Sequence, residues 1–168
     1  GAGTRVTLNP YQAGADDLDD CLPCRKGLRN AAVDNRTMGV RRPGAMTSYI
    51  TVPHSKLYRS DKLSHVELAL VEPLTVGFHA ANRGQVAAGE HVMVFGCGIV
   101  GLGAVAGAAR KGAKVIAVDI DEKKLEVARK AGAAYTINSL HEDLHNKQLE
   151  ITGGDGPLVC IEAVGLPA

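Results

Sequence analysis

The 168-residue sequence has no tryptophan, no excess of charge of either sign, no internal repeat and no low-complexity tract. Each absence narrows the reading. A formal charge of +1, from 19 basic and 18 acidic residues, argues against a nucleic-acid or membrane-surface protein. The longest apolar-looking run, residues 99–109, is too short and too rich in glycine to span a bilayer. No signal-peptide pattern is seen. Four unevenly spaced cysteines give no disulfide framework, so the expected setting is a reducing cytosol. What the chain does have is 45% hydrophobic residues, enough for a packed core, in a length that suits one domain or little more.

The most informative stretch is 91–121, HVMVFGCGIVGLGAVAGAARKGAKVIAVDID. Val92 to Phe95 form a short apolar run, as a buried parallel strand would. Gly96-Cys97-Gly98-Ile99-Val100-Gly101 follows as a G-x-G-x-x-G, then a small-residue helix over 100–111 and a second strand over 115–118. Asp119 ends that strand, 23 residues after Gly96. The bare motif is weak in a chain with 20 glycines; strand, turn, helix, strand and acid in this order make it a dinucleotide-binding signature. Gly96 permits the tight turn, Gly98 lets a pyrophosphate approach the backbone, and Gly101 lets the helix pack close to the sheet. The helix start, with Ile99 and Val100, offers N–H groups and partial positive charge to phosphates. Asp119 can accept hydrogen bonds from both adenosine ribose hydroxyls and would repel a 2′-phosphate, which favours NAD over NADP. The plain alternative is an α/β turn whose glycines serve packing alone.

Around this stretch, residues 4–8 alternate as a strand that Asn9-Pro10 stops, and 11–34 read as a lobe without regular elements. Residues 46–52 have strand composition and Pro53 closes them. Ser64-His65-Val66-Glu67 is a capping box. The helix it starts is expected to break at Glu72-Pro73, with a second helix over 74–82. After Asp119, Asp121 caps a helix over 122–131 with Gly132 behind it. A strand over 134–138, a helix over 140–152, a glycine-rich turn and a strand over 158–162 complete a β-α-β-α-β-α-β pattern. Cys97 and Cys160 read as small buried residues.

The order of these motifs resembles the zinc-containing medium-chain dehydrogenase/reductase family, on its alcohol, polyol and sorbitol dehydrogenase side. Thr4-Arg5-Val6, Asn9-Pro10-Tyr11, Cys21-Leu22-Pro23-Cys24-Arg25-Lys26-Gly27, Tyr49-Ile50-Thr51-Val52-Pro53 and Ala69-Leu70-Val71-Glu72-Pro73-Leu74 carry the likeness. It continues through the Gly96 turn, Val118-Asp119-Ile120-Asp121 and Glu162-Ala163-Val164-Gly165. The resemblance implies an α/β fold: a partial Rossmann-type doubly wound parallel sheet over 74–168, preceded by a fragment of a GroES-like β-rich catalytic domain over 1–73. It also implies that a zinc-ligand cysteine and a Gly-His-Glu motif would precede Gly1, so that the chain corresponds to the middle of such an enzyme.

In the family, Glu72 occupies the position of a carboxylate at or beside the catalytic zinc; a helix-end acid before proline is the plain alternative. The family's structural zinc takes four cysteines spaced C-x2-C-x2-C-x7-C. Cys21 and Cys24 fit the second and third, while Leu18 and Ala32 stand at the first and fourth. Two thiolates do not close a tetrahedral site, so a lobe that has lost its metal is the leading reading, ahead of an intact structural zinc completed by a neighbouring Asp and, last, of a redox pair. Lys124 lies where the family often has a base near the ribose, or is an ordinary surface lysine. His141-Glu142-Asp143-Leu144-His145 matches H-E-x-x-H, but its polar flanks and the lack of a third ligand read as a solvated helix face rather than a protease.

The expected function is zinc-dependent hydride transfer from a secondary alcohol of a polyol, sugar or sugar acid to NAD in the complete enzyme. The alternative is a non-catalytic dinucleotide-binding fragment or structural remnant. No nucleic-acid or membrane partner is expected, and the resemblance implies a homodimer or homotetramer.

Overall fold

The computed structural model describes residues 3–11 and 21–165. The chain divides into two compact units, Gly1–Ala69 and Leu70–Ala168.

In the first unit, β1 (Val6–Leu8) pairs antiparallel with β2 (Leu57–Arg59), Thr7 opposite Tyr58. The Asn9 N–H, donating to the Lys56 carbonyl, extends the ladder by one step. Between them lie a short helix α1 (Leu22–Arg25) and 3-10 turns at Arg29–Ala31 and His54–Lys56. The lobe expected to lack regular elements therefore contains a helical turn, begun at Cys21 with Pro23 in its first turn. Its acidic run, Asp16 to Asp20, lies outside the described residues. The strand expected over 46–52 is not formed. Met46 and Tyr49 are fully exposed there, and 46–52 pairs with no neighbouring strand; β composition without a partner edge does not make a strand. The pairing goes to Leu57–Arg59 instead.

Helix α2 (His65–Arg83) opens with the expected capping box. The Glu67 N–H donates to Ser64 Oγ at 3.2 Å, and the Ser64 N–H donates to Glu67 Oε2 at 2.7 Å. The expected break at Glu72-Pro73 is absent: Pro73 sits inside one continuous helix. An internal proline costs about 3 kcal/mol through the lost N–H and the crowded preceding carbonyl. The turns beyond it offset that by packing onto α3 (Ile99–Arg110) with almost no space between backbones. A Cβ on Gly77 would fall 2.2 Å from the Ala104 nitrogen, and one on Gly103 would fall 2.4 Å from the Leu74 carbonyl oxygen.

The second unit is built on four parallel strands: β3 (His91–Phe95), β4 (Lys114–Asp119), β5 (Tyr135–Asn138) and β6 (Val159–Glu162). Their order is β5-β4-β3-β6. Val92 sits opposite both Val115 and Val159, and Ile116 opposite Tyr135. Strand residues alternate between two cores. Val92, Val94, Val115 and Ala117 pack with Val105 and Ala108 of α3 and with Leu125 and Ala128 of α4 (Glu122–Lys130). Met93, Ile116, Val118 and Ile137 pack with Leu144 and Ile151 of α5 (Leu144–Thr152). Helices therefore cover both faces, as the doubly wound reading requires. Asp121 caps α4 by accepting from the Lys123 N–H at 2.9 Å. Cys97 is buried as expected, but Cys160 is exposed: β6 closes one edge of the sheet, and the side of it that Cys160 faces is open.

Replacing Gly77 or Gly103 with alanine gains about 1 kcal/mol of helix propensity. It also drives a methyl into backbone that has no rotamer by which to yield, and overpacking of that kind costs ~1–3 kcal/mol or more. Either variant is expected to unfold at clearly lower urea concentration than wild type. Gly98→Ala, whose Cβ meets nothing within 4 Å, is expected to stay close to wild type in the same melt.

Candidate functional site

The site forms where β3 and β4 end. Gly96 follows Phe95 with φ +84°, a left-handed conformation that favours glycine. Its N–H donates to the Val118 carbonyl at 2.8 Å, so the turn leaves the sheet still tied to β4. A Cβ here would meet the Val164 side chain at 2.8 Å and the Ala163 carbonyl oxygen at 3.1 Å. Gly98 is the N-cap of α3 and supplies no side-chain cap. Above it lies open space, so the helix start is accessible to a ligand. A Cβ on Gly101 would stand 1.8 Å from the Gly96 carbonyl oxygen. The three glycines thus do different work: Gly96 turns, Gly101 packs, and Gly98 leaves room.

Asp119 is 9% exposed at the end of β4 and reaches across to the turn. Its Oδ2 accepts from the Cys97 N–H at 2.7 Å; its Oδ1 accepts from Ile120 and Asp121 at 2.8 and 3.0 Å. Lys124 Nζ lies 4.0 Å from Oδ1. Burial works to raise its pKa, but the N–H donors of Cys97, Asp121 and Ile120 and the Lys124 charge together hold it below the ordinary carboxylate value. A carboxylate offers about four lone-pair positions. Three are used within the chain, which leaves one on Oδ2. The same packing pushes the Cys97 thiol up to about 11, through burial and the adjacent Asp119 charge, so it is an inert core group.

Gly96, Gly98, Asp119 and Lys124 line one cleft of about 480 Å³ with Phe95, Val118, Ile120, Ser139, Ala163 and Val164. It lies outside the carboxyl ends of the strands, beside β3, where the strand order reverses between β4 and β6. That is where open α/β sheets bind ligands. Glu162 Oε1 accepts from the Val164 and Gly165 N–H groups at 2.5 and 2.8 Å, folding the segment after β6 onto the cleft wall. Ser139 and Ile120 were not singled out from sequence. Their signal was position alone, each being the first residue after a parallel strand.

A family profile described as zinc-binding dehydrogenase matches residues 100–168. Sorbitol dehydrogenase of Bacillus subtilis is 36% identical over 99% of this chain and 47% of its own length. Erythritol/L-threitol dehydrogenase of Mycolicibacterium smegmatis is 38% identical over 87% of this chain and 42% of its own. Among solved structures, an alcohol dehydrogenase from Escherichia coli in complex with NADH superposes with a TM-score of 0.86 at 27% identity, covering 99% of this chain and 48% of that one. The chain belongs to the zinc-type medium-chain dehydrogenase family. It spans about half the length of the curated relatives it matches.

A zinc-type dehydrogenase needs converging metal ligands, and the described residues contain no group of three His, Cys, Asp or Glu side chains placed to hold an ion. Glu72 is exposed on α2. Its carboxylate alone does not fit a zinc site. Cys21 and Cys24 come together, with Sγ atoms 2.8 Å apart. Cys24 Sγ and N–H hold the Cys21 thiol below its usual pKa. Ala32 adds no ligand, and Leu18 lies outside the described residues. The H-E-x-x-H match does not lie on one helix face. Helix α5 begins at Leu144, so His141 and Glu142 precede it. Glu142 Oε2 instead accepts from the Asn138 N–H at 2.7 Å, and Asp143 caps the helix. No helix in the described residues is long and apolar enough to cross a membrane.

Because the Asp119 pKa is depressed in the folded state, its contribution to stability is present above the unfolded carboxylate value of 3.8 and is lost as pH falls through the folded value. In urea melts, wild type is therefore expected to exceed Asp119→Asn at neutral pH, with the gap narrowing below pH 3.8. A gap that stays constant with pH would show that the carboxylate charge is not what holds the turn.

Proposed function

We propose that this chain supplies the dinucleotide-binding part of an NAD-dependent, zinc-type dehydrogenase acting on a secondary alcohol of a polyol, sugar or sugar acid. In this reading residues 74–168 are the nucleotide-binding portion and 1–73 belong to the catalytic domain. The observation that carries it is the cleft at the ends of β3 and β4, with open space over Gly98 and a fixed carboxylate at its edge. The names of the relatives support the substrate class, and the NADH-bound neighbour supports the cofactor.

Bound NAD would supply the hydride acceptor; the chain's own residues bind and orient it. The first turn of α3, from Ile99 and Val100, presents N–H groups to the pyrophosphate. Gly98 lets the phosphates approach the backbone closely. Asp119 would accept one ribose hydroxyl at its remaining Oδ2 position, with Lys124 beside it on the same cleft. Phe95, Val164 and Ile120 give the cleft apolar walls for the adenine or ribose to pack against. Glu72 would lie at or beside the catalytic zinc of the complete enzyme, and among the described residues no ligand cluster forms around it. The chain by itself is therefore expected to bind cofactor without turning over alcohol.

Titration of the 168-residue chain with NADH, followed by cofactor fluorescence, tests the proposal. Saturable binding is expected, weaker for NADPH. Asp119→Ala should cost tenfold or more, about 1.4 kcal/mol, as expected for a lost charge-assisted hydrogen bond. Since Asp119 also holds the turn, Gly98→Ala is the companion variant: weakened NADH binding at unchanged stability. A folded chain that does not bind NADH would overturn the reading.

A further inference from the structure

The dinucleotide reading leaves Cys21 and Cys24 without a role, and they lie in the other compact unit. Cys21 begins α1 and Cys24 lies within it, so one helical turn holds both sulfurs on the same side, 2.8 Å apart. Cys24 is buried and Cys21 is partly accessible. The only other thiols, Cys97 and Cys160, belong to the nucleotide-binding unit. The family implies a structural zinc here, but Ala32 occupies the fourth ligand position and Leu18 the first. Two thiolates do not satisfy tetrahedral zinc. The described residues do not fit the metal, but they do fit another chemistry of paired thiols. A disulfide bond is about 2.05 Å long, so closing this pair asks for under about 1 Å of sulfur movement.

We propose that Cys21 and Cys24 are a reversible dithiol–disulfide site, oxidised by a low-molecular-weight disulfide, in the place where the family resemblance implies a structural zinc. The Cys21 thiolate attacks one sulfur of the small disulfide, forming a mixed disulfide and expelling one thiolate. Cys24, on losing its proton, attacks the Cys21 sulfur, closes the intrachain bond and expels the second thiolate. The protein loses two protons and two electrons, and the small disulfide takes them up to become two thiols. Access decides the order: the partly accessible Cys21 meets the reagent, and the buried Cys24 resolves it. A closed loop of this kind would fix the first turn of α1 covalently, where a metal would otherwise cross-link the lobe.

The test treats the folded full chain with excess oxidised glutathione, quenches it with iodoacetamide and maps tryptic peptides by mass spectrometry. Residues 6–25 form one tryptic peptide that carries both cysteines and neither Cys97 nor Cys160. That peptide is expected to lose two hydrogens, to resist alkylation, and to recover both thiols after dithiothreitol. In Cys21→Ser, whose fold is checked by circular dichroism, the loss is expected to disappear. A 6–25 peptide that stays reduced, or stops at a stable glutathione adduct, would overturn the proposal. So would one zinc per chain in native mass spectrometry that is lost in Cys21→Ser.

Discussion

The hydrogen bond from the Cys97 N–H to Asp119 Oδ2 is the contact on which the second unit's geometry depends. It ties the turn after β3 to the end of β4 from above, while Gly96 N–H to the Val118 carbonyl ties it from within the sheet. A buried carboxylate is costly unless it is paired, and this one is satisfied by three backbone donors. With the turn fixed, the Gly96 carbonyl stands so close to Gly101 that no side chain fits there. That contact sets where α3 begins, and so where its N–H groups point. The outer helix follows from the inner one, because Gly77, Gly103 and Gly107 let α2 and α3 pack backbone to backbone. One carboxylate and a few missing methyl groups therefore place the helix start, its open face and the layer behind it.

Those same features explain which parts of the fold could be read from sequence. β3, α3 and β4 lie within a residue or so of expectation, because an apolar run, a glycine turn and a small-residue helix are all local signals. The errors fall where a non-local partner decides. Pro73 reads as a helix stop by its own chemistry, and only the packing of Gly77 on α3 outweighs it. Residues 46–52 have the composition of a strand and no edge to pair with. Cys160 has the size of a core residue, but its burial depends on what lies beyond β6, which its own stretch of sequence does not state.

The candidate site was more legible than the metal chemistry. Gly96, Gly98, Asp119 and Lys124 sit 28 positions apart at most in sequence, and one βαβ unit brings them to one cleft. Ser139 escaped notice because its place depends on β5 lying beside β4, a topological fact rather than a motif. The metal chemistry has no such cluster: among the described residues no three His, Cys, Asp or Glu side chains converge on Glu72 or on the Cys21–Cys24 pair. The H-E-x-x-H match shows the opposite hazard, a perfect local string whose helix starts three residues too late.

The proposed preference for NAD over NADP can be weighed from the same geometry. A 2′-phosphate at the cleft edge would stand beside both Asp119 and Lys124, which are themselves 4.0 Å apart. Its interactions with the two residues would have opposite signs and, at similar distances, similar size. The contest is then settled by solvation and freedom. Lys124 is half exposed, on a flexible stem, and its field is screened by water and salt. Asp119 is 7% exposed in its side chain and is held by three hydrogen bonds, so its charge neither moves away nor is easily shielded. Repulsion therefore exceeds attraction. In the proposed reading, the fixed carboxylate that keeps the turn in place is also the group that would exclude the phosphorylated cofactor, so selectivity would follow from the fold's own constraint.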